Sequence, residues 1–336
     1  MTTNSEPTVV KLGNPPDIVA ALPVFIGFHP AESLVLVCLH GPRKRSGLTM
    51  RVDLPDPRHH EPLATDLATR AAHDKADGVI LVCYTEDPDD GTELPRHDLI
   101  DLVLHELRQR EIGWLDVLLV RGGRWWSYMC TAECCPREGT PVVARPSSEI
   151  VALEARSALE GRAVLASRAE LEATVRGPVA IRGAALRAAQ QRAGQSFIEE
   201  VTADGADAAL RRTLALARAA FDRYVAGEHE LTDEDATRIL VGLDDRLARD
   251  ALITWTLDGH EQELIVFLSH LARCAVDEIA APVCTALAGV AYQCGEGALA
   301  GIALDRALAS EPDYELARLL DVALRNQVDP AEIRAM

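Results

Sequence analysis

VILVCY (Val79 to Tyr84) and WLDVLLV (Trp114 to Val120) decide the fold. Each is a short, nearly continuous aliphatic run, the pattern of a strand buried on both faces. Each follows apolar residues at helical spacing: Leu63, Leu67 and Ala71 before the first, Leu99, Val103 and Leu107 before the second. Pro62 falls in a first helical turn, where proline is tolerated, and Gly78 and Gly113 are placed to end the two helices. A helix–strand phrase that repeats calls for crossover helices and parallel strands.

Upstream, SLVLVCLH (Ser33 to His40) and LTMRVDL (Leu48 to Leu54) form a hairpin across the basic loop GPRKRSG. Downstream, Gly122 and Gly123 turn the chain into Arg124 to Met129, a strand running back antiparallel. The expected order is β-β-α-β-α-β-β: a three-layer α/β domain with a mixed sheet and two right-handed crossovers over residues 1–146. The apolar segment Ile18 to Phe28 contains Pro23 and has only Lys11 as a basic residue upstream. It reads as core and not as a signal peptide.

From Ser147 onward no strand pattern survives. Residues 147–200 read as a connector of short helices joined by Gly and Pro, including GRAVLASRAEL and RGPVAIRGAAL. Residues 201–336 read as helical hairpins. Leu210, Leu214, Ala217, Phe221 and Val225 make one stripe, and Thr232 is placed to cap the next helix. A second helix passes through Leu247, Ala251 and Trp255, a third through Leu287 and Ala291. The turn glycines Gly227, Gly259 and Gly295 are 32 and 36 residues apart, bracketing the roughly 34-residue period of tetratricopeptide-type hairpins. Ala288, Ala300, Ala307 and Pro312 fall where such repeats place small residues and a closing proline.

The chain has 336 residues, 48% of them hydrophobic, and a formal net charge of −18. That surplus of acid repels phosphate backbones and anionic lipid surfaces, so nucleic acid and membrane are poor partners. No apolar run approaches the roughly 18 residues of a spanning helix. Without export, the eight cysteines are expected to be mostly reduced thiols in the cytoplasm.

Most chemical motifs fail on spacing. CGEGALAG (Cys294 to Gly301) follows a helix, so it reads as an inter-helix turn and not a dinucleotide loop. DPDDGTE (Asp87 to Glu93) has its glycine one place early for calcium and reads as a solvated acidic loop. HELRQ at His105 and HEQEL at His260 lack the second histidine of a zinc-hydrolase helix, and no G-x-S-x-G elbow occurs. The remaining oddity is RWWSYMCTAECCPREGTP (Arg124 to Pro141), with Cys130, Cys134 and Cys135 crowded together. Three thiolates are one ligand short of a structural zinc, and the pair lacks thioredoxin-like spacing. Packed thiols, a redox or disulfide pair, and a metal site are the three readings. A packed structural corner at the sheet edge opposite Arg124 is the expectation, with no metal and no cofactor.

GRWWSYMC, CCPREGTP, LPVFIGFHPAESLVLV and ALDRALASEPDYELARLL together resemble the actinomycete domain-of-unknown-function family numbered 4192. The resemblance spans essentially the whole chain. It marks Trp125, Trp126, Cys135, Pro136 and Gly139 as a family signature and implies no activity.

Ligands of open sheets favour the edge where parallel strands end. Here that edge is expected to gather Asp53, Thr85, Glu86 and Arg121, and the strand starts at His29, Glu32, Ser33, Arg124 and Trp125. Two functions follow as expectations. The first is a cytoplasmic, non-enzymatic adaptor whose C-terminal hairpins dock a protein partner. The alternative is an enzyme or sensor holding an anionic ligand at the edge formed by His29, Glu32, Ser33, Arg121, Arg124 and Trp125.

Overall fold

Every residue from Ser33 to Leu39 is buried, so the strand they form has to be covered on both faces. The computed structural model describes residues 14–330, apart from 89, 90, 92, 131, 133, 134, 143–146 and 160. The chain divides into two compact units, one up to Ser167 and one from Arg168.

In the first unit the strands are β1 (Ser33–His40), β2 (Arg45–Asp53), β3 (Gly78–Tyr84), β4 (Gly113–Arg121), β5 (Arg124–Ser127) and β6 (Thr140–Pro141). They form one sheet in the order β2-β1-β3-β4-β5-β6. Only β3 and β4 pair in parallel; the other neighbours are antiparallel. Leu34, Leu36, Val79, Leu81, Val117 and Leu119 face α2 (His60–His73) and α3 (His97–Gln109). Their neighbours Val35, Val37, Ile80, Val82 and Leu118 face α1 (Pro15–Ile26). The alternation along each strand therefore feeds two cores, and three layers result. A fourth helix, α4 (Ser148–Leu159), packs on α1.

The core segment from Ile18 turns out to be α1. Asn14 caps it by accepting from the Asp17 N–H at 3.0 Å, and Gly27 (φ 83°) ends it by donating to the Pro23 carbonyl at 2.9 Å. Pro23 obscured the pattern, but it lies in the final turn, where only one hydrogen bond is lost. The glycines expected to stop α2 and α3 do something else. Both helices end in a Schellman motif whose left-handed residue is Lys75 (φ 57°) or Glu111 (φ 59°). Ala76 and Ile112 then donate back to Ala71 and Leu107, each at 3.0 Å, with buried side chains closing the turn. Gly78 and Gly113 open β3 and β4 and stand opposite one another in the register. Two further limits moved: β2 begins at Arg45 rather than Leu48, and β5 ends at Ser127 rather than Met129.

The second unit is all helical, with packed helix pairs in the manner of a tetratricopeptide-like repeat. Its helices are α5 (Arg168–Val175), α6 (Ala180–Asp204), α7 (Ala206–Val225), α8 (Asp233–Gly242), α9 (Arg246–Thr254), α10 (Glu261–Cys274), α11 (Ala280–Gln293), α12 (Gly297–Ser310) and α13 (Glu315–Arg325). Neighbouring pairs join into two rows. One runs α7, α9, α11, α13; the other runs α6, α8, α10, and α5 fills the gap between α10 and α12. All of α11 is buried. Ala288, Ala300 and Ala307 are buried between helices as the repeat pattern requires, and Gly227, Gly259 and Gly295 all take left-handed φ values of 79–85° at turns. Thr232 caps α8 by accepting from the Asp235 N–H at 3.0 Å.

One reading of this half needs correction. Residues 180–204 are one 25-residue helix and not short pieces; the alanine-rich sequence sustains helix through Gly183 and Gly194, each a cost of about 1 kcal/mol. The expected helix through Leu247 and Ala251 is α9, although Leu247 itself is 67% exposed. α9 instead buries Ala248, Arg249 and Leu252.

Two largely buried arginines fasten the helices. Arg306 of α12 donates to the Val175 carbonyl at the end of α5 and to the Ala272 and Ala275 carbonyls at the end of α10, at 2.5–2.7 Å. One guanidinium thus caps the negative ends of two helices. Arg249 donates to Asp250 at 2.6 Å and to the Tyr314 hydroxyl at 2.7 Å, which ties α9 to the start of α13.

Candidate functional site

The carboxyl edge of the sheet is where β2, β3 and β4 end, β1 and β5 begin, and α2 and α3 start. Glu32 organises its centre. Its φ of 40° is left-handed, and its carboxylate accepts from the Thr85 hydroxyl at 3.0 Å and the Glu86 N–H at 2.7 Å. Glu86 in turn accepts from the Gly122 N–H at 3.1 Å. Arg96 pairs with Asp87 at 2.6 Å.

Beside these bonds lies a recess of about 560 Å³ lined by Glu86, Asp87, Arg121, Gly122, Arg124, Trp126 and Glu138. Arg121 donates to the Asp87 carbonyl at 2.8 Å, and its guanidinium lies 5.1 Å from the Trp126 ring centre. Arg124 donates to the Gly139 carbonyl at 2.7 Å. Two forked cations are thereby held in fixed positions on a mixed-charge wall, geometry that suits carboxylate or phosphate oxygens.

The expected site residues divide. Arg121 and Arg124 come together in the recess. Trp125 does not join them: alternation along β5 turns it to the α1 face, 8% exposed, and Trp126 is the recess tryptophan. Ser33 is fully buried on the α1 face. His29 is exposed, with its N–H on the Leu165 carbonyl at 3.0 Å. Glu32 is committed to Thr85 and Glu86.

Sequence reading missed a different feature of this edge. Ser33, Tyr84, Val120 and Trp125 form one row across four strands on the α1 face. The Ser33 hydroxyl, the Tyr84 hydroxyl and the Trp125 indole N–H in that row are buried without a hydrogen-bond partner, as is Arg51 Nε on β2 and, on the α2 face, His60 Nε2. Buried polar atoms are nearly always paired, so three in one row call for an explanation. No sequence motif signals them, because pairing is a property of the assembled fold.

The loop after β5 returns to this edge, where Thr140 and Pro141 pair with Trp125 and Arg124. Trp126 donates to the Arg137 carbonyl at 3.0 Å. Its ring occupies the place where a Cβ on Gly139 would stand, and Gly139 has φ 74°. That accounts for the WW and EG parts of the sequence signature. Cys134 lies outside the described residues; Cys130 and Cys135 are half-buried. Among the described residues, no group of three or more His, Cys, Asp or Glu side chains is placed to share one metal ion. Nor is any helix among them long and apolar enough to cross a membrane. Cys83, under the edge on β3, has its thiol pushed up to about 12, chiefly by burial, so it is no nucleophile at neutral pH.

No curated protein and no solved structure matches the chain. With the tryptophan pair, the returning loop and the two-unit architecture in view, the match that does exist covers the first helix through the last: the chain belongs to the family described as Domain of unknown function (DUF4192), over residues 15–331.

Proposed function

We propose that this protein is a cytoplasmic binding module, not an enzyme, that holds a small anionic molecule at the carboxyl edge of its sheet. One observation carries the reading: the recess at that edge holds two positioned arginines, Arg121 and Arg124, beside the Trp126 ring. In α/β sheets this is the edge that ligands favour. Thermal-shift screening with small carboxylates and phosphates tests it. The expected result is an anionic stabiliser whose effect disappears in Arg124→Ala. If Arg124→Ala lowers the melting temperature and no anion shifts either protein, the arginines are structural and the reading fails.

A second reading, a protein-docking adaptor, draws on the helical unit. Leu319 and Val322 stand 61% and 55% exposed on α13, the last helix of its row. Ends of helical stacks are normally polar, so apolar residues there favour contact with another protein. Capture of one defined partner by the full chain, lost in Leu319→Asp with unchanged melting, supports docking; equal capture by both proteins rejects this face.

A further inference from the structure

The starts of α2 and α3 repeat a tripeptide. Pro57-Arg58-His59 leads into α2 and Pro95-Arg96-His97 opens α3, each following a strand that ends at the carboxyl edge. Basic residues at a helix N-terminus oppose the helix dipole, which favours anions there. The first N–H of each helix is met by backbone, His60 donating to the Pro57 carbonyl and His97 to the Leu94 carbonyl at 3.2 Å, but no side chain helps. Neither α2 nor α3 has a side-chain cap, whereas α1, α8 and α9 are capped by Asn14, Thr232 and Asp245.

His60 joins the two starts. Its Nδ1 lies 3.0 Å from Asp98 Oδ2 in the first turn of α3, so Nδ1 carries the proton donated to that carboxylate. The residue is 3% exposed, and its Nε2 is buried without a partner. Arg96 reaches over the same ground, with Nη1 3.5 Å from the Pro55 carbonyl ahead of α2 and Nε on Asp87. The acids nearby are largely engaged: Asp98 by His60, Asp87 by Arg96, and Asp56 by Arg58 at 3.4 Å. His97 faces outward to Asp101 at 3.3 Å and Glu93 at 3.6 Å.

We infer that the paired N-termini of α2 and α3 form a phosphate-binding subsite in which His60 and Arg96 hold a phosphate or phosphate monoester. The inference rests on the reading of this edge as a ligand site, but it uses residues distinct from the Arg121–Arg124 recess. The Arg96 guanidinium and the first-turn N–H groups beyond His60 and His97 supply donors, the arrangement by which helix N-termini bind phosphate. One proton is shared between His60 Nε2 and a phosphate oxygen, which gives the orphaned nitrogen its partner.

Isothermal titration with inorganic phosphate and with glycerol phosphate, against sodium chloride at equal ionic strength, tests the subsite. The expected result is saturable binding of one or both phosphates, weakened roughly tenfold or more in His60→Gln and in Arg96→Gln, the loss of a charge-assisted hydrogen bond. Arg124→Ala should leave that binding unchanged. Phosphate binding lost in Arg124→Ala and kept in the other two variants overturns the subsite while leaving the recess reading intact. No binding to the unaltered protein beyond the chloride control also overturns it. Should His60→Gln fail to melt cooperatively, Arg96→Gln decides alone, since Arg96 is partly exposed, with 23% of its side chain in solvent, and belongs to no hydrophobic core.

Discussion

The main buried arginines of the helical unit and the buried polar groups at the sheet edge differ in pairing. In the helical unit, Arg306 meets three carbonyls and Arg249 meets a carboxylate and a hydroxyl. At the carboxyl edge of the sheet, Ser33, Tyr84, Trp125 and His60 each keep a buried polar atom unpaired. Pairing of that kind holds a scaffold together, whereas unpaired groups cost stability and persist where something else uses them. The edge proposed above as a ligand site is thus the part of the sheet unit that leaves such groups unpaired.

The largest effect should come from Trp125→Ala, at about 3–5 kcal/mol, because a buried ring leaves a cavity under α1. Trp126→Ala, on the half-buried face, should cost about 1–3 kcal/mol. Urea unfolding monitored by circular dichroism measures both, and equal losses would break the assignment of opposite faces. Arg306→Met comes next, at about 3 kcal/mol, since three helix-end carbonyls lose a charged donor. A loss below about 1 kcal/mol would mean that water replaces the guanidinium and that this unit's pairing is dispensable.

Alkali should also separate folded from unfolded chains. Burial raises the Cys83 thiol to about 12, while an unfolded thiol ionises near pH ~8.5. The folded pKa is the higher one, so the stabilisation is complete below the unfolded value. It is lost as pH climbs from about 9 towards 12, at roughly 1.4 kcal/mol per pH unit for each such thiol. Unfolding curves at several alkaline pH values should be shallower in their pH dependence for Cys83→Ala. Identical slopes would show that the thiol is solvated. The smallest effect is the sharpest test of the comparison. Tyr314→Phe should cost about 1 kcal/mol, because Arg249 loses its hydroxyl acceptor, whereas Tyr84→Phe should cost nothing or stabilise slightly. A loss of about 1 kcal/mol or more at Tyr84 would reveal a bound water or ligand on that hydroxyl.

Much of the architecture was legible because it rests on periodicity. The runs at Val79 and Trp114, the helix stripes at Leu63 and Leu99, and the turn at Gly122–Gly123 each carry their own local signal, and the sheet assembles them as expected. α1 was not legible as a helix because Pro23 interrupts the pattern, although strands buried on both faces require a second covering layer. The helix stops were misassigned because glycine is only the commonest left-handed residue; here Lys75 and Glu111 do that work, held by the Schellman bonds. Of the site, Arg121 and Arg124 were legible from topology. Trp126 was not, because an uncertain strand start leaves the facing of adjacent tryptophans undetermined.

The sequence by itself determined that a mixed-sheet α/β region precedes an all-helical region of helix pairs, since hydrophobic period and turn chemistry are local properties. It also determined that Gly227, Gly259 and Gly295 would break the helices. Tertiary structure alone decided that α5 fills the gap between α10 and α12, that Arg306 caps two helices at once, and that His60 reaches Asp98. These are meetings of residues 38 positions apart in one case and 131 in another. Pairing across such distances depends on how whole elements pack, which no local pattern encodes.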